Sequence, residues 1–380
     1  MAQALINGRV LLDAKFITGR AVIVEAGRIE AIVPTDDVPA GLERIDLADR
    51  ILVPGFLDTQ VNGGGDRLFN DDPSAETVAA IGAAHRKFGT TGFLPTFISD
   101  DAAKIEAAME ATRRAMAERI PGVLGVHIEG PFLNLSRKGI HDARKIRPTS
   151  DDEVELLSRP TGGKTLVTLA PEMVAPAVIR ELAQAGVIVS AGHSDASADC
   201  IANALQDGLR GFTHLFNAMS QLTGREPGVV GAALYDDSSW CGIIVDGHHV
   251  DPLVLKIALR AAPLQRFMLV TDAMPSVGGR KSFVLNGQQI TVSGGKCTNV
   301  DGTLAGSDLD MASAVRNAVE MLGVDLADAI AMASTNPAAF LGLDHELGRI
   351  APSYRADLVL LDEQLNVAES WIDGIPSGSL

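Results

Sequence analysis

The chain has 380 residues, 46% of them apolar and 21% charged, enough to bury a large core and to form more than one domain. Lys and Arg number 32 against 48 Asp and Glu, and the net charge of −16 offers no electrostatic footing on nucleic acid or an anionic bilayer. No apolar run reaches the roughly 18 residues of a spanning helix, and Met1-Ala2-Gln3-Ala4 lacks a signal-peptide layout. Cys200, Cys241 and Cys297 are widely spaced and form no Cys-x-x-Cys pair, so they read as reduced thiols of a cytoplasmic protein.

Residues 4–34 alternate short β-rich runs with glycine turns, such as Val22-Ile23-Val24 before Gly27. The last thirty residues have the same character, around Asp357-Leu358-Val359-Leu360-Leu361. One small β-domain assembled from both termini, residues 1–53 and 349–380, is the expectation; two unrelated fringes are the alternative. In the long middle, apolar runs at 51–57, 92–98, 123–128, 165–169, 187–190, 211–215, 243–245 and 267–271 alternate with helical stretches. Those helical stretches include 75–88, 101–119, 173–185, 196–206 and 251–261. Continuous apolar strands alternating with amphipathic helices predict parallel strands covered by helices. Eight such units predict an α/β fold, a (β/α)8 TIM-type barrel over 54–348. A doubly wound open sheet is disfavoured because no Gly-x-Gly-x-x-Gly follows a strand, and Gly63-Gly64-Gly65 reads as a flexible loop. A β-hairpin insertion is predicted near 278–303, after the eighth strand.

Polar residues gather at the predicted strand ends: His127, Glu129, His193, His214, Asp246, His248, His249 and Asp272. In a barrel these ends converge on one mouth. Glu129, His193 and His214 come from three different strands and make a candidate divalent-metal set. His127 shares a strand face with Glu129 but lies deeper, and is ranked behind the ligands. Gln60-Val61-Asn62 stands where many metal-dependent barrel hydrolases place His-x-His. Neutral amides there predict a single metal ion, with Gln60 near enough to touch it directly or through water. Asp272, beside the metal, suits proton transfer.

Several motifs occur in order: Pro54-Gly55-Phe56-Leu57-Asp58, His127-Ile128-Glu129-Gly130-Pro131-Phe132, Ala191-Gly192-His193-Ser194, His214-Leu215-Phe216-Asn217-Ala218-Met219, Asp246-Gly247-His248-His249 and Leu304-Ala305-Gly306-Ser307. Together they resemble the N-acetylglucosamine-6-phosphate deacetylase family of the amidohydrolase superfamily, over essentially the whole chain. The resemblance implies metal-dependent removal of the acetyl group from an amino-sugar phosphate. It implies Glu129, His193 and His214 as ligands of one divalent ion, with Gln60 beside them and Asp272 as the catalytic aspartate. Zinc leads for the metal; iron, cobalt and manganese suit the same set. Substrate contacts are implied for Ile140, His141, Asn217, Ala218, Arg225 and His249, and for the loop Leu304, Ala305 and Gly306. His249 has two open roles, donation to a developing oxyanion or to a ring hydroxyl. The family also implies a homodimer, with basic residues near the interface. The epimeric N-acetylgalactosamine 6-phosphate and a catalytically inactive, binding-only barrel are the alternatives.

Overall fold

The computed structural model describes residues 2–378. Eight strands form one continuous parallel sheet: β1 Phe56–Val61, β2 Thr90–Ile98, β3 Gly125–Glu129, β4 Lys164–Leu169, β5 Ile188–Ala191, β6 Leu209–Phe212, β7 Trp240–Ile243 and β8 Phe267–Leu269. The sheet closes on itself through a parallel bridge between Val61 and Ala273, and the N–H groups of Asn62 and Gly63 both donate to the Ala273 carbonyl. Helices follow the strands, including Ala75–Arg86, Ala102–Ala117, Pro176–Gln184, Ala198–Asp207 and Pro252–Ala261. The first and fourth of these begin on serine caps, Ser74 and Ser197, that accept backbone N–H groups. The architecture is a (β/α)8 barrel carrying a separate N-terminal sheet domain.

The first predicted strand, 51–57, is divided in the structure. Ile51–Pro54 pairs antiparallel with Leu358–Leu361 in a six-stranded sheet, and only the segment from Phe56 enters the barrel. Gly55 makes the break: a Cβ there would lie 1.9 Å from the Thr91 hydroxyl. Period-2 alternation explains why this apolar run misleads. Leu52, Leu358 and Leu360 pack into a cluster with Leu5, Val22, Ile29 and Trp371. Ile51, Val53, Val359 and Leu361 face the barrel core instead. Both faces are buried, as in a barrel strand.

Two loop expectations also change. Gly63–Gly64 pairs with Arg67–Leu68 as a small ribbon, and a Cβ on Gly63 would meet the Arg67 carbonyl at 2.4 Å. The predicted hairpin near 278–303 is a four-stranded antiparallel sheet, Ser282–Leu285, Gln288–Ser293, Lys296–Thr298 and Leu304–Ser307. Leu285, Ile290, Cys297 and Ala305 bury its inner side against Leu68, Ile98 and Met274.

Candidate active site and metal centre

The strand ends deliver their polar residues to one cavity of about 520 Å³ at the barrel mouth. Three of these polar residues adopt left-handed backbone: His193 at φ 50°, His214 at φ 34° and Asp272 at φ 52°. Each lies two or three residues past the end of its strand, where the chain turns sharply. Such backbone costs about 1–3 kcal/mol per residue and clusters at functional sites.

Glu129, His193 and His214 meet as a triangle. Glu129 Oε1 lies 3.1 Å from His193 Nε2 and 3.0 Å from His214 Nε2, and the two nitrogens are 3.1 Å apart. All three are buried, and their ligand-type atoms lie within 4.8 Å of one another. His193 Nδ1 sits 2.9 Å from the Arg137 carbonyl, which accepts its proton and leaves the Nε2 lone pair for the centre of the triangle. Burial raises the Glu129 pKa, but the two imidazoles overcome that and hold it well below the usual range. Burial lowers the His214 pKa, yet Glu129 draws it above the ordinary value. One carboxylate and two imidazoles converging in a buried site suit a divalent ion of borderline softness.

Gln60 and Asn62 brace the carboxylates. Gln60 Nε2 donates to Glu129 Oε2 at 3.2 Å and to Asp272 Oδ1 at 3.1 Å, and Asn62 Nδ2 donates to the same Asp272 oxygen at 2.7 Å. In this geometry Gln60 is a donor that ties the triangle to Asp272. Burial pushes the Asp272 pKa up to about 6, with the Glu129 charge adding to the rise. His127 stays out of the triangle: its ring nitrogens meet the Thr96 and Thr168 hydroxyls at 3.3 and 2.8 Å.

The remaining predicted residues divide. Ile140, His141, Asn217, Ala218, His249, Leu304 and Gly306 line the cavity. Asp246 Oδ2 accepts from His249 Nδ1 at 2.6 Å and fixes that ring. His141 bonds the Ser99 hydroxyl at 2.8 Å and packs edge-on against His193, at 4.5 Å between ring centroids. Burial, then the neighbouring His193, drive its pKa down to about 3, so it contributes as a neutral ring. Ala305 turns away into the inserted sheet's apolar cluster. Arg225 is exposed and outside the cavity lining, on the loop before helix Gly228–Tyr235. Sequence reasoning missed Asn62 as an orienting donor and the Arg137 carbonyl as the partner of His193 Nδ1. The signal for Asn62 was present, since an amide two residues after Gln60 shares its side of β1.

Comparison with known proteins accords with this geometry. Residues 51–378 match the amidohydrolase family, and residues 3–52 match the NagA composite domain. The chain belongs to the amidohydrolase family. Among its relatives is an N-acetylgalactosamine-6-phosphate deacetylase of Shewanella sp. (strain ANA-3), 44% identical over 86% of this chain and 83% of that protein. An N-acetylglucosamine-6-phosphate deacetylase of Haemophilus influenzae is 34% identical over 98% of this chain and 99% of its own. The crystal structure of N-acetylglucosamine-6-phosphate deacetylase from Pasteurella multocida superposes with a TM-score of 0.96 at 35% identity, covering 99% and 100% of the two chains. A Mycobacterium smegmatis mutant in complex with N-acetyl-D-glucosamine-6-phosphate superposes at 0.90, with 30% identity over 99% of both chains.

Proposed function

We propose that this amidohydrolase hydrolyses the N-acetyl group of N-acetyl-D-glucosamine 6-phosphate, giving D-glucosamine 6-phosphate and acetate, in cytoplasmic amino-sugar catabolism and cell-wall sugar recycling. The observation that carries the reading is the buried Glu129, His193 and His214 triangle joined through Gln60 to Asp272 at one cavity. The relatives just described, named for deacetylation of amino-sugar phosphates, supply the substrate class.

Glu129, His193 and His214 would hold one divalent ion, zinc first, with iron, cobalt or manganese also suited, and Gln60 beside it. Bound there, such an ion would supply an activated water and a Lewis acid for the acetyl oxygen. Asp272 accepts the proton of the attacking water and returns it to the departing amine nitrogen. His249, with Nδ1 committed to Asp246, presents Nε2 to the developing oxyanion or to a sugar hydroxyl. Ile140, His141, Asn217, Ala218 and the Leu304–Gly306 loop shape the sugar pocket, with Ala305 acting from behind it. The proposed domains are 1–53 with 349–380, and the catalytic barrel 54–348. Support comes from the sheet pairing Ile51–Pro54 with Leu358–Leu361.

A homodimer completes the proposal. Leu222, Tyr235, Leu253, Val254 and Ile257 are large apolar side chains left exposed on and beside two packed helices, Gly228–Tyr235 and Pro252–Ala261. A second copy of the chain on that face covers them and accounts for Arg225, which lies in the same region and does not reach its own cavity.

The N-acetylgalactosamine epimer is a second reading, favoured by the 44% identical Shewanella relative. Acetate release from the two sugar phosphates, each at limiting concentration, decides between them. Release from neither, by metal-loaded protein, would overturn the enzyme reading in favour of a binding-only barrel.

A further inference from the structure

The cavity poses an electrostatic problem. Its carboxylates stand at the floor, Glu129 buried and Asp272 half-buried. Two cationic side chains line it, Arg137 and Lys296. Arg137 is engaged by Asp195, Nη2 to Oδ1 2.7 Å. Lys296 is exposed and makes no ion pair among the described residues. A protein of net charge −16 therefore presents one uncommitted cation to its own cavity.

The backbone places Lys296 well. It stands opposite Ser307 in the inserted sheet, and Ser307 bridges to Ala273. The Ser307 N–H donates to the Asp272 carbonyl, and the Ser307 carbonyl accepts from Met274 N–H. Lys296 is thus two strand spacings, about 10 Å, from the segment that carries Asp272. Its strand starts from a Gly294-Gly295 turn in left-handed backbone, and His248 Nε2 donates to the Gly294 carbonyl at 2.9 Å. The loop that carries His249 therefore also tethers the strand that carries Lys296.

We infer that Lys296 binds the phosphate of the sugar phosphate from within its own chain, making the inserted sheet the substrate-charge sensor of the site. The inference rests on the proposed amino-sugar phosphate reading. It assigns phosphate recognition to a side chain independent of Arg225 and of any second subunit. An ammonium on a four-carbon stem at the rim suits this, because it reaches a mobile dianion as a point charge.

The test compares Lys296→Met and Lys296→Arg with the parent protein, each checked for an unchanged melting temperature. Acetate release is measured on N-acetylglucosamine 6-phosphate and on unphosphorylated N-acetylglucosamine. Calorimetric binding is measured for glucosamine 6-phosphate and glucosamine. Lys296→Met is expected to raise KM for the phosphorylated sugar about 10–100-fold, with kcat and the unphosphorylated sugar changed less than about 2-fold. Glucosamine 6-phosphate should bind correspondingly more weakly, and Lys296→Arg should recover most of the loss. An equal loss for both sugars, or no loss, overturns the inference. If the parent binds glucosamine 6-phosphate through Lys296 but releases no acetate, the enzyme reading fails and the phosphate contact stands. If it releases acetate and Lys296→Met is unaffected, the reverse holds.

Discussion

The Asn62 amide nitrogen lies 2.7 Å from Asp272 Oδ1, and the Gln60 amide nitrogen reaches the same oxygen at 3.1 Å. Two neutral donors at and just past the end of β1 therefore fix the rotamer of a carboxylate beyond the end of β8. They do so across the Val61–Ala273 bridge that closes the barrel. Amides hold that orientation without adding charge, so the Oδ2 edge of Asp272 is left for chemistry in the cavity.

Replacing Asp272 by Asn keeps the shape and removes the proton acceptor. The kcat of Asp272→Asn is expected to fall about 10²–10⁴-fold, the usual worth of a positioned acid/base. Binding of glucosamine 6-phosphate, read by calorimetry, should change only a few-fold. A kcat near that of the parent, in protein checked by mass for deamidation, would place the proton transfer on another group, His249 first.

Glu129 is buried and has two imidazole nitrogens on one oxygen, so its charge needs a cation at the centre of the triangle. Elemental analysis of gently purified protein is expected to give close to one divalent ion per chain. Chelation should lower the melting temperature as well as abolish activity, and adding zinc should restore both. Two ions per chain, both needed for activity, would contradict the one-metal reading drawn from Gln60 and Asn62.

His85 predicts an acid limit to stability that is separate from catalysis. Its Nε2 donates to the Gly63 carbonyl at 2.9 Å, and its Nδ1 is buried without a partner. Burial lowers its pKa from 6.5 to about 4. Above pH 6.5 the ring is neutral in both folded and unfolded chains, and the protein keeps its full stability. As the pH falls from 6.5 towards 4, the unfolded chain takes up the proton and the folded chain does not, so stability drops by about 3 kcal/mol. His85→Gln should be less stable than the parent at pH 7.5, and the gap in melting temperature should narrow by pH 4.5. A gap independent of pH would show that folding leaves the His85 pKa at its ordinary value.

The barrel was legible because its strands are apolar on both faces and its polar residues sit at their ends. Glu129, His193, His214 and Asp272 could be found as strand-end positions before any geometry was known. The same rule failed at 51–57, where a strand of the terminal sheet is equally apolar because it packs on two cores. Pattern does not distinguish these cases; only the 1.9 Å approach of Thr91 at Gly55 does. The roles of Asn62 and Arg137 were hidden for a different reason. One acts through a hydrogen bond to a residue 210 positions away, and the other through its backbone carbonyl on His193. Arg225 was readable as a substrate contact, and the fold of one chain leaves it outside the cavity.

That displacement gives the sharpest test of the proposed dimer. If Arg225 serves the cavity of the neighbouring subunit, Arg225→Ala and Asp272→Asn damage the same reaction from opposite subunits. Each variant alone should be impaired, with Arg225→Ala losing about 10–150-fold in kcat/KM on the phosphorylated sugar. Mixed and allowed to exchange subunits, the two should complement. In a two-fold heterodimer one site receives its own Asp272 and the other chain's Arg225, while the second site has neither. Random exchange makes half of all dimers mixed, so about a quarter of the parental activity should return. Without subunit exchange, checked by omitting the dissociation step, none should return. Failure to complement in a mixture shown by mass to contain heterodimers would mean that Arg225 acts on its own chain or only in assembly. The charge seen by the phosphate would then come from within one chain.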